Sequence, residues 1–298
     1  MSNFEEVSII MALPHKKQYN HMVYKYYPFN NYTKDALFKS YLFFSKASRL
    51  NDPYDTSSML LSDEFYEKLT SVYYKEGLTK QNQIEELKRI FNVMDDYGTC
   101  SFSKYRDNMH LWALYANSFS GIVIGFDEKK LNDLFQHNIT RLMNVDYVEQ
   151  WPPSFETDSF KRSFWVQQGD KSYKFRECFE GDHADQVMDY FFQYLCTVKG
   201  ESWKEEQEVR LVAPNGFIKK LKNGKLSGVK GSAAGYNVPF LEDAVKEIIV
   251  GHNFNGKPKI IKKLAKKYGI KKIQTTSCTT PFKIDIVRHD ELTNYVNR

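Results

Sequence analysis

Trp203-Lys204-Glu205-Glu206-Gln207-Glu208-Val209-Arg210 runs directly into the apolar Leu211-Val212-Ala213, and the layout of this stretch decides where the polar chemistry of the fold sits. Side chains alternate along a strand with period two. A strand from Gln207 to Val212 sets Glu206, Glu208 and Arg210 on one face, with Gln207, Val209 and Leu211 on the other. Two carboxylates and a guanidinium are poor core material unless they meet one another or a ligand. The acidic face is therefore expected in a cleft; the plainer alternative is a surface strand where the glutamates pair with Arg210 or Lys204.

The 298 residues, 42% hydrophobic and 15% aromatic, suit one elaborated domain with a large core. No stretch approaches the roughly 18 uncharged apolar residues of a membrane span. The N-terminus also lacks a basic segment followed by an apolar run, so a cytoplasmic protein without membrane contact is expected. Cys100, Cys178, Cys196 and Cys278 are far apart, with no Cys-x-x-Cys pair. That spacing argues against a zinc knuckle or a compact disulfide framework and fits a reducing compartment. The seven histidines are scattered without metal-ligand spacing, and no metal site is expected.

The net charge of +5 hides an asymmetry. Residues 215–275 hold fourteen Lys against three acidic residues, a local +11, which leaves the rest of the chain at −6. Within this basic subregion, Ile260, Ile261, Leu264 and Tyr268 recur at helical spacing while lysines cover the other face. A solvated face is the plain reading of the segment from Lys257 to Lys272. The sharper one is a contact surface for nucleic acid or an acidic protein.

Helical and strand signals alternate along the chain without linker or repeat. A helix is expected over Thr33 to Ser40 with Thr33 as its cap, then the aromatic strand Tyr41 to Phe44. Asn51-Asp52-Pro53-Tyr54-Asp55 is turn chemistry, although Asn51, Asp52 and Asp55 also form a secondary polar cluster. Two helices are expected between Glu64 and Tyr97, a strand at Thr99 to Phe102, a helix at Met109 to Ala116 and a strand at Gly121 to Phe126. Further helices are expected at Ser159 to Trp165 and His183 to Val198, and strands at Val245 to Val250, Lys272 to Thr276 and Phe282 to Val287. The pattern is α+β: an N-terminal extension (1–22), then a single domain (23–298) built on a bent or split mixed sheet with flanking helices. Gly-rich phosphate loops are absent.

Five blocks taken together resemble a known bacterial family. They are Val23-Tyr24-Lys25-Tyr26; Tyr41 to Ser45 leading into Asn51 to Asp55; Cys100-Ser101-Phe102-Ser103; Leu111 to Ala116 with Gly121 to Asp127; and Trp203 to Arg210. In order and spacing this chain resembles the domain of unknown function 2971 family over about Val23 to Gly251. The family's layout is similar to compact ADP-ribosyltransferase-related folds, including some abortive-infection and toxin proteins. The resemblance implies an ADP-ribosyltransferase-like fold and an NAD-using enzyme, a transferase or NAD glycohydrolase, with NAD as substrate and no resident cofactor. Family members often carry histidine where Leu114 stands and another near Phe119, so no general-base role of those histidines is carried over.

That chemistry gives each residue a role. Transfer of ADP-ribose passes through an oxocarbenium-like centre, which a carboxylate on the ribose 2′-hydroxyl stabilises. Glu208 is expected there, with Glu206 orienting the acceptor or acting as base. Tyr24, Tyr26 or Tyr115 is expected to stack on nicotinamide. Ser101 and Ser103 share a strand face and are expected to hold the ribose or support Glu208, and Lys25 and Arg210 to hold the pyrophosphate. Two other classes compete: a metal-dependent nuclease using Asp52, Asp55, Glu206 and Glu208 as oxygen ligands, and a non-catalytic module binding nucleic acid through its lysines.

Overall fold

The computed structural model describes residues 21–46, 49–56, 60–72, 77–91, 97–135, 142–152, 184–214, 230–232, 234–278 and 283–288. The chain enters through β1 (Met22–Tyr27), α1 (Asn31–Lys39) and β2 (Tyr41–Lys46), then α2 (Asp63–Val72) and α3 (Lys80–Phe91). β3 (Tyr97–Ser103), α4 (Met109–Leu114), β4 (Ile122–Asp127) and α5 (Glu128–Phe135) follow. Next come the short β5 (Leu142–Asn144) and β6 (Asp146–Val148), α6 (Ala184–Leu195), β7 (Val198–Gly200) and β8 (Glu208–Pro214). The C-terminal part supplies β9 (Lys230–Ser232), β10 (Gly235–Pro239), β11 (Val245–Val250), α7 (Pro258–Lys267), β12 (Gln274–Ser277) and β13 (Asp285–Arg288).

Eleven of these strands form one mixed sheet with the path β13-β12-β11-β4-β1-β3-β2-β10-β9, from which β8 and β5 branch at β3. Only β11 and β12 pair in parallel within it; β6 and β7 make a separate parallel pair. The fold is thus α+β with a large mixed sheet, and the sheet splits at β3. One edge of β3 pairs along its whole length with β8, Tyr97 to Ser103 against Pro214 to Glu208. The other edge carries two partners: β2 at Gly98 and Thr99, and β1 at Ser103 through Tyr24. Between them the β3 backbone has no ladder partner on that side. Lys25 reaches into the gap and donates its Nζ to the Ser101 carbonyl at 2.9 Å, satisfying an acceptor that would otherwise lose its ladder bond.

Three apolar groups hold the sheet. Ile122, Ile124, Phe126, Ile248, Val250 and the buried stripe Ile261, Leu264 and Ala265 of α7 pack on one face. Phe65, Leu69, Leu87, Phe91, Phe191 and Phe192 join α2, α3 and α6 in a second, largely aromatic cluster. The third surrounds the fully buried Trp112 of α4, whose indole N–H donates to the Arg106 carbonyl at 2.9 Å.

Where an expected element is described, its type agrees with the periodicity and the differences lie at its ends, whereas β5, β6, β7, β9 and β10 have no counterpart among the expected elements. Asn30, not Thr33, caps α1: its Oδ1 accepts the Thr33 N–H at 3.0 Å, and Thr33 sits inside the helix with its hydroxyl on the Pro28 carbonyl. The expected helix His183 to Val198 ends at Leu195 because the chain turns into β7. The expected helix Ser159 to Trp165, residues 1–20 of the N-terminal extension and residues 215–229 and 233 of the basic subregion lie outside the described residues. Among the described residues no helix is long and apolar enough to cross a membrane.

Gly121, between α4 and β4, shows how tightly β1 is docked. A Cβ there would stand 2.1 Å from the Tyr27 carbonyl oxygen and 2.8 Å from that of Ala116. Both are backbone atoms and cannot rotate away. Gly121→Ala is expected to lower stability by about 3 kcal/mol in urea unfolding; a midpoint equal to wild type would mean that β1 shifts freely.

Candidate functional site

Tyr24, Ser103 and Glu208 occupy one rung across β1, β3 and β8, and Ser101 lies opposite Arg210 two residues along. Glu208 and Arg210 therefore share a face, as strand alternation requires. Arg210 is 1% exposed, and each of its five N–H donors is used. Nε donates to Glu208 Oε1 at 2.7 Å. One Nη donates to Asp55 Oδ1 at 2.6 Å and the Cys196 carbonyl at 2.8 Å. The other donates to Asp55 Oδ2 at 2.6 Å and Glu208 Oε2 at 2.9 Å. A guanidinium has five such donors and no more, so Arg210 has none left for a pyrophosphate, the role expected of it from sequence. It is the buried organiser of two carboxylates.

Glu206 reaches the same place by a different route. It ends a 3-10 turn, Glu201–Glu206, and Gln207 follows in the left-handed region at φ 47°, so β8 starts only at Glu208 and alternation does not extend to Glu206. The turn is pinned from two sides. Ser103 Oγ donates to the Glu206 carbonyl at 2.9 Å. Asn108, the N-cap of α4, donates its side-chain amide to the Glu205 carbonyl at 2.5 Å while its Oδ1 accepts from Leu111 N–H. The Glu206 carboxylate then accepts from the Tyr115 hydroxyl at 2.7 Å and from Lys199 Nζ at 2.5 Å.

Lys199, on β7, closes the network. Its Nζ lies 3.3 Å from Glu208 Oε2 and 3.8 Å from Asp55 Oδ2, and 4.8 Å from the centre of the Trp203 ring. Three carboxylates thus enclose two cations. Burial alone would push the Glu208 carboxyl up, but Arg210, then Lys199 and the Ser101 hydroxyl, hold it down at about 2. For Lys199, burial pulls the ammonium down, and Glu208 and Glu206 outweigh it to keep the group charged. The Tyr115 phenol is pushed well up by burial and by Glu206, so it remains a donor.

These groups border a cavity of about 270 Å³, near the lower end for small-molecule sites. Tyr24, Lys25, Tyr26, Ser101, Ser103, Tyr115, Glu206, Glu208, Arg210, Asn51 and Asp55 all line it. The sequence-expected residues are thereby brought together, though several in other capacities. Tyr24 and Tyr26 are core side chains: Tyr24 is 1% exposed, and Tyr26 packs edge-on against Trp112 and donates to the Tyr105 carbonyl. Tyr115 holds a carboxylate, and Asn51 donates to its hydroxyl at 2.8 Å. Asp55 belongs to this site and not to a separate polar cluster, whereas Asp52 closes a local turn by accepting the Tyr54 N–H at 3.0 Å.

Three lining or supporting residues, Lys199, Asn108 and Arg49, had no legible motif. Lys199 and Asn108 carry no signal that separates them from any other lysine or asparagine. Phe43 and Arg49 line the mouth, and both are exposed. Among the described residues no group of three metal-ligating side chains is placed to hold an ion; in the pocket, Lys199 and Arg210 stand between the carboxylates that the nuclease reading needs to converge on a metal. On α7, Lys259, Lys262, Lys263 and Lys266 are exposed, and Lys267 pairs with Glu242.

The segment from α4 into β8, residues 111–211, matches the family model described as Protein of unknown function (DUF2971). That segment belongs to the DUF2971 family. It contains Tyr115, Lys199, Glu206, Glu208 and Arg210, while Asp55, Ser101 and Ser103 come from outside the matched DUF2971 residues. No curated protein and no solved structure matches the chain.

Proposed function

We propose that the pocket binds NAD and that the protein transfers or hydrolyses its ADP-ribose, with Glu206 as the carboxylate facing the reacting ribose. The observation that carries this reading is the difference in acceptor use between the two glutamates. An ionised carboxylate offers about four acceptor sites. Glu208 receives Arg210 twice, Lys199 and Ser101, which fills them. Among the described residues Glu206 receives Tyr115 and Lys199 only, so within them it lines the pocket with acceptor capacity to spare.

NAD supplies a nicotinamide–ribose bond whose cleavage leaves positive charge on the sugar, and a fixed carboxylate stabilises that charge where water is scarce. Tyr115 and Lys199 keep Glu206 oriented. Glu208 and Arg210 form the rigid floor beneath it. At the mouth, Phe43 offers an exposed aromatic face for a planar ring, and Lys25 and Arg49 are the cations suited to the pyrophosphate. The cavity suits the nicotinamide riboside end, with the remainder of the dinucleotide leaving through the mouth.

Incubation with NAD and chromatography of released nicotinamide test this, with mass spectrometry of cell extract for ADP-ribose adducts separating transfer from hydrolysis. Expression in cells is expected to deplete NAD and arrest growth, as an effector of a toxin or antiphage system would. Absence of nicotinamide release, together with no NAD-induced rise in melting temperature, would sink the reading.

A further inference from the structure

Away from the pocket, the end of β12 brings a thiol and an imidazole together. Of the cysteines among the described residues, Cys278 is exposed, and Cys100 and Cys196 are buried. Cys278 Sγ lies 3.7 Å from Nδ1 of His252. The Thr276 hydroxyl faces the same nitrogen at 2.9 Å and also accepts the His252 backbone N–H at 2.8 Å. The His252 ring rests 4.7 Å from that of Phe119, which stacks in turn on Trp112 at 5.8 Å and 3°.

The position of Phe119 is specified by the backbone. Asn117, Ser118 and Phe119 adopt φ of 47°, 51° and 66° in succession, a left-handed run that non-glycine residues rarely sustain. Gly251 makes room for it: a Cβ there would stand 1.9 Å from the Phe119 carbonyl oxygen, which accepts from Asn253 N–H at 3.1 Å. The residue preceding His252 is thus fitted to the turn that carries the ring beneath it. Strained turns of this kind persist where surrounding structure over-determines them, and they gather at functional positions. Burial holds the imidazole below its ordinary value, so at neutral pH it is uncharged and able to take a proton.

We propose that Cys278 is a reactive thiol that undergoes exchange with small disulfides, with His252 as its base. The thiol proton passes to Nδ1, the thiolate attacks one sulfur of the disulfide, and a Cys278–sulfur bond forms as the original sulfur–sulfur bond breaks. The departing thiolate recovers the proton from the imidazolium. A nucleophile beside a positioned base is the arrangement that such chemistry uses. The site lies on described residues outside the pocket and does not depend on the NAD reading.

The test uses the native protein and an aromatic disulfide, dithiobis-nitrobenzoate, whose released thiolate is coloured, with modified cysteines assigned by peptide mass spectrometry. Cys278 is expected to be the fast site among Cys100, Cys196 and Cys278. Its rate should exceed that of Cys278 in His252→Gln by roughly tenfold, a modest value for a positioned base. It should also exceed the rate of Cys278 in the urea-unfolded wild type, where His252 is no longer adjacent. That second comparison holds even if the variant fails to fold. Equal rates in wild type and a folded His252→Gln, or faster reaction on unfolding, overturn the proposal.

Discussion

Glu206→Gln is expected to reduce nicotinamide release from NAD by about two orders of magnitude or more, roughly 2.7 kcal/mol of barrier. Glutamine keeps the shape and one acceptor oxygen, so the Tyr115 hydroxyl retains a partner, and Lys199 keeps Glu208 and Asp55. What disappears is the negative charge opposite the ribose. Melting temperature should therefore change little while turnover collapses. Single-turnover kinetics with saturating NAD place the loss in the chemical step. Turnover within about threefold of wild type would remove Glu206 from the reaction.

Arg210→Met should act on the opposite property. It leaves Asp55, Glu206 and Glu208, each under a tenth exposed, around a single lysine, and breaking a buried ion pair by deleting one partner costs about 3 to 5 kcal/mol. Urea unfolding measures that loss, and adding Asp55→Asn should recover part of it, because one stranded charge goes with its partner. Wild-type stability in Arg210→Met alone would mean that the network is not organised by the guanidinium. The same cluster fixes the pH response. Glu208 is held at about 2 when folded against an ordinary 4.5, so between those values the unfolded chain binds the extra proton. Its contribution, roughly 3 kcal/mol, is complete above about pH 4.5 and is lost as pH falls toward 2.

The sequence made some of this visible and hid the rest for physical reasons. The stripe Ile261, Leu264 and Tyr268 announced α7, and the strand Val245 to Val250 appears with its expected ends. Ser101 and Ser103 shared a strand face by alternation, and both line the pocket. Glu206 met Glu208 there, but period two gave the wrong cause: the left-handed Gln207 breaks the strand, and a glutamine carries no mark of such a backbone as glycine would. Lys199 sits on a three-residue strand too short for a pattern. β10, which pairs with β2, was missed because Gly235-Tyr236-Asn237-Val238-Pro239 reads as a turn from its ends.

The branch in the sheet has a consequence for how such a pocket can change. Its floor is β3 and β8, one continuous ladder that carries Ser101, Ser103, Glu208 and Arg210. Its walls belong to separate limbs, Tyr24, Lys25 and Tyr26 on β1 and Phe43 and Ser45 on β2, which share no ladder with each other at this point. The molecule is built like a tuning fork, with the serines and the Glu208–Arg210 pair on the stem and the outer lining of the pocket on the tines. Substitutions on either tine can widen, narrow or recharge the opening while the stem keeps its register, so the shape of the pocket can change without disturbing the ion network on its floor.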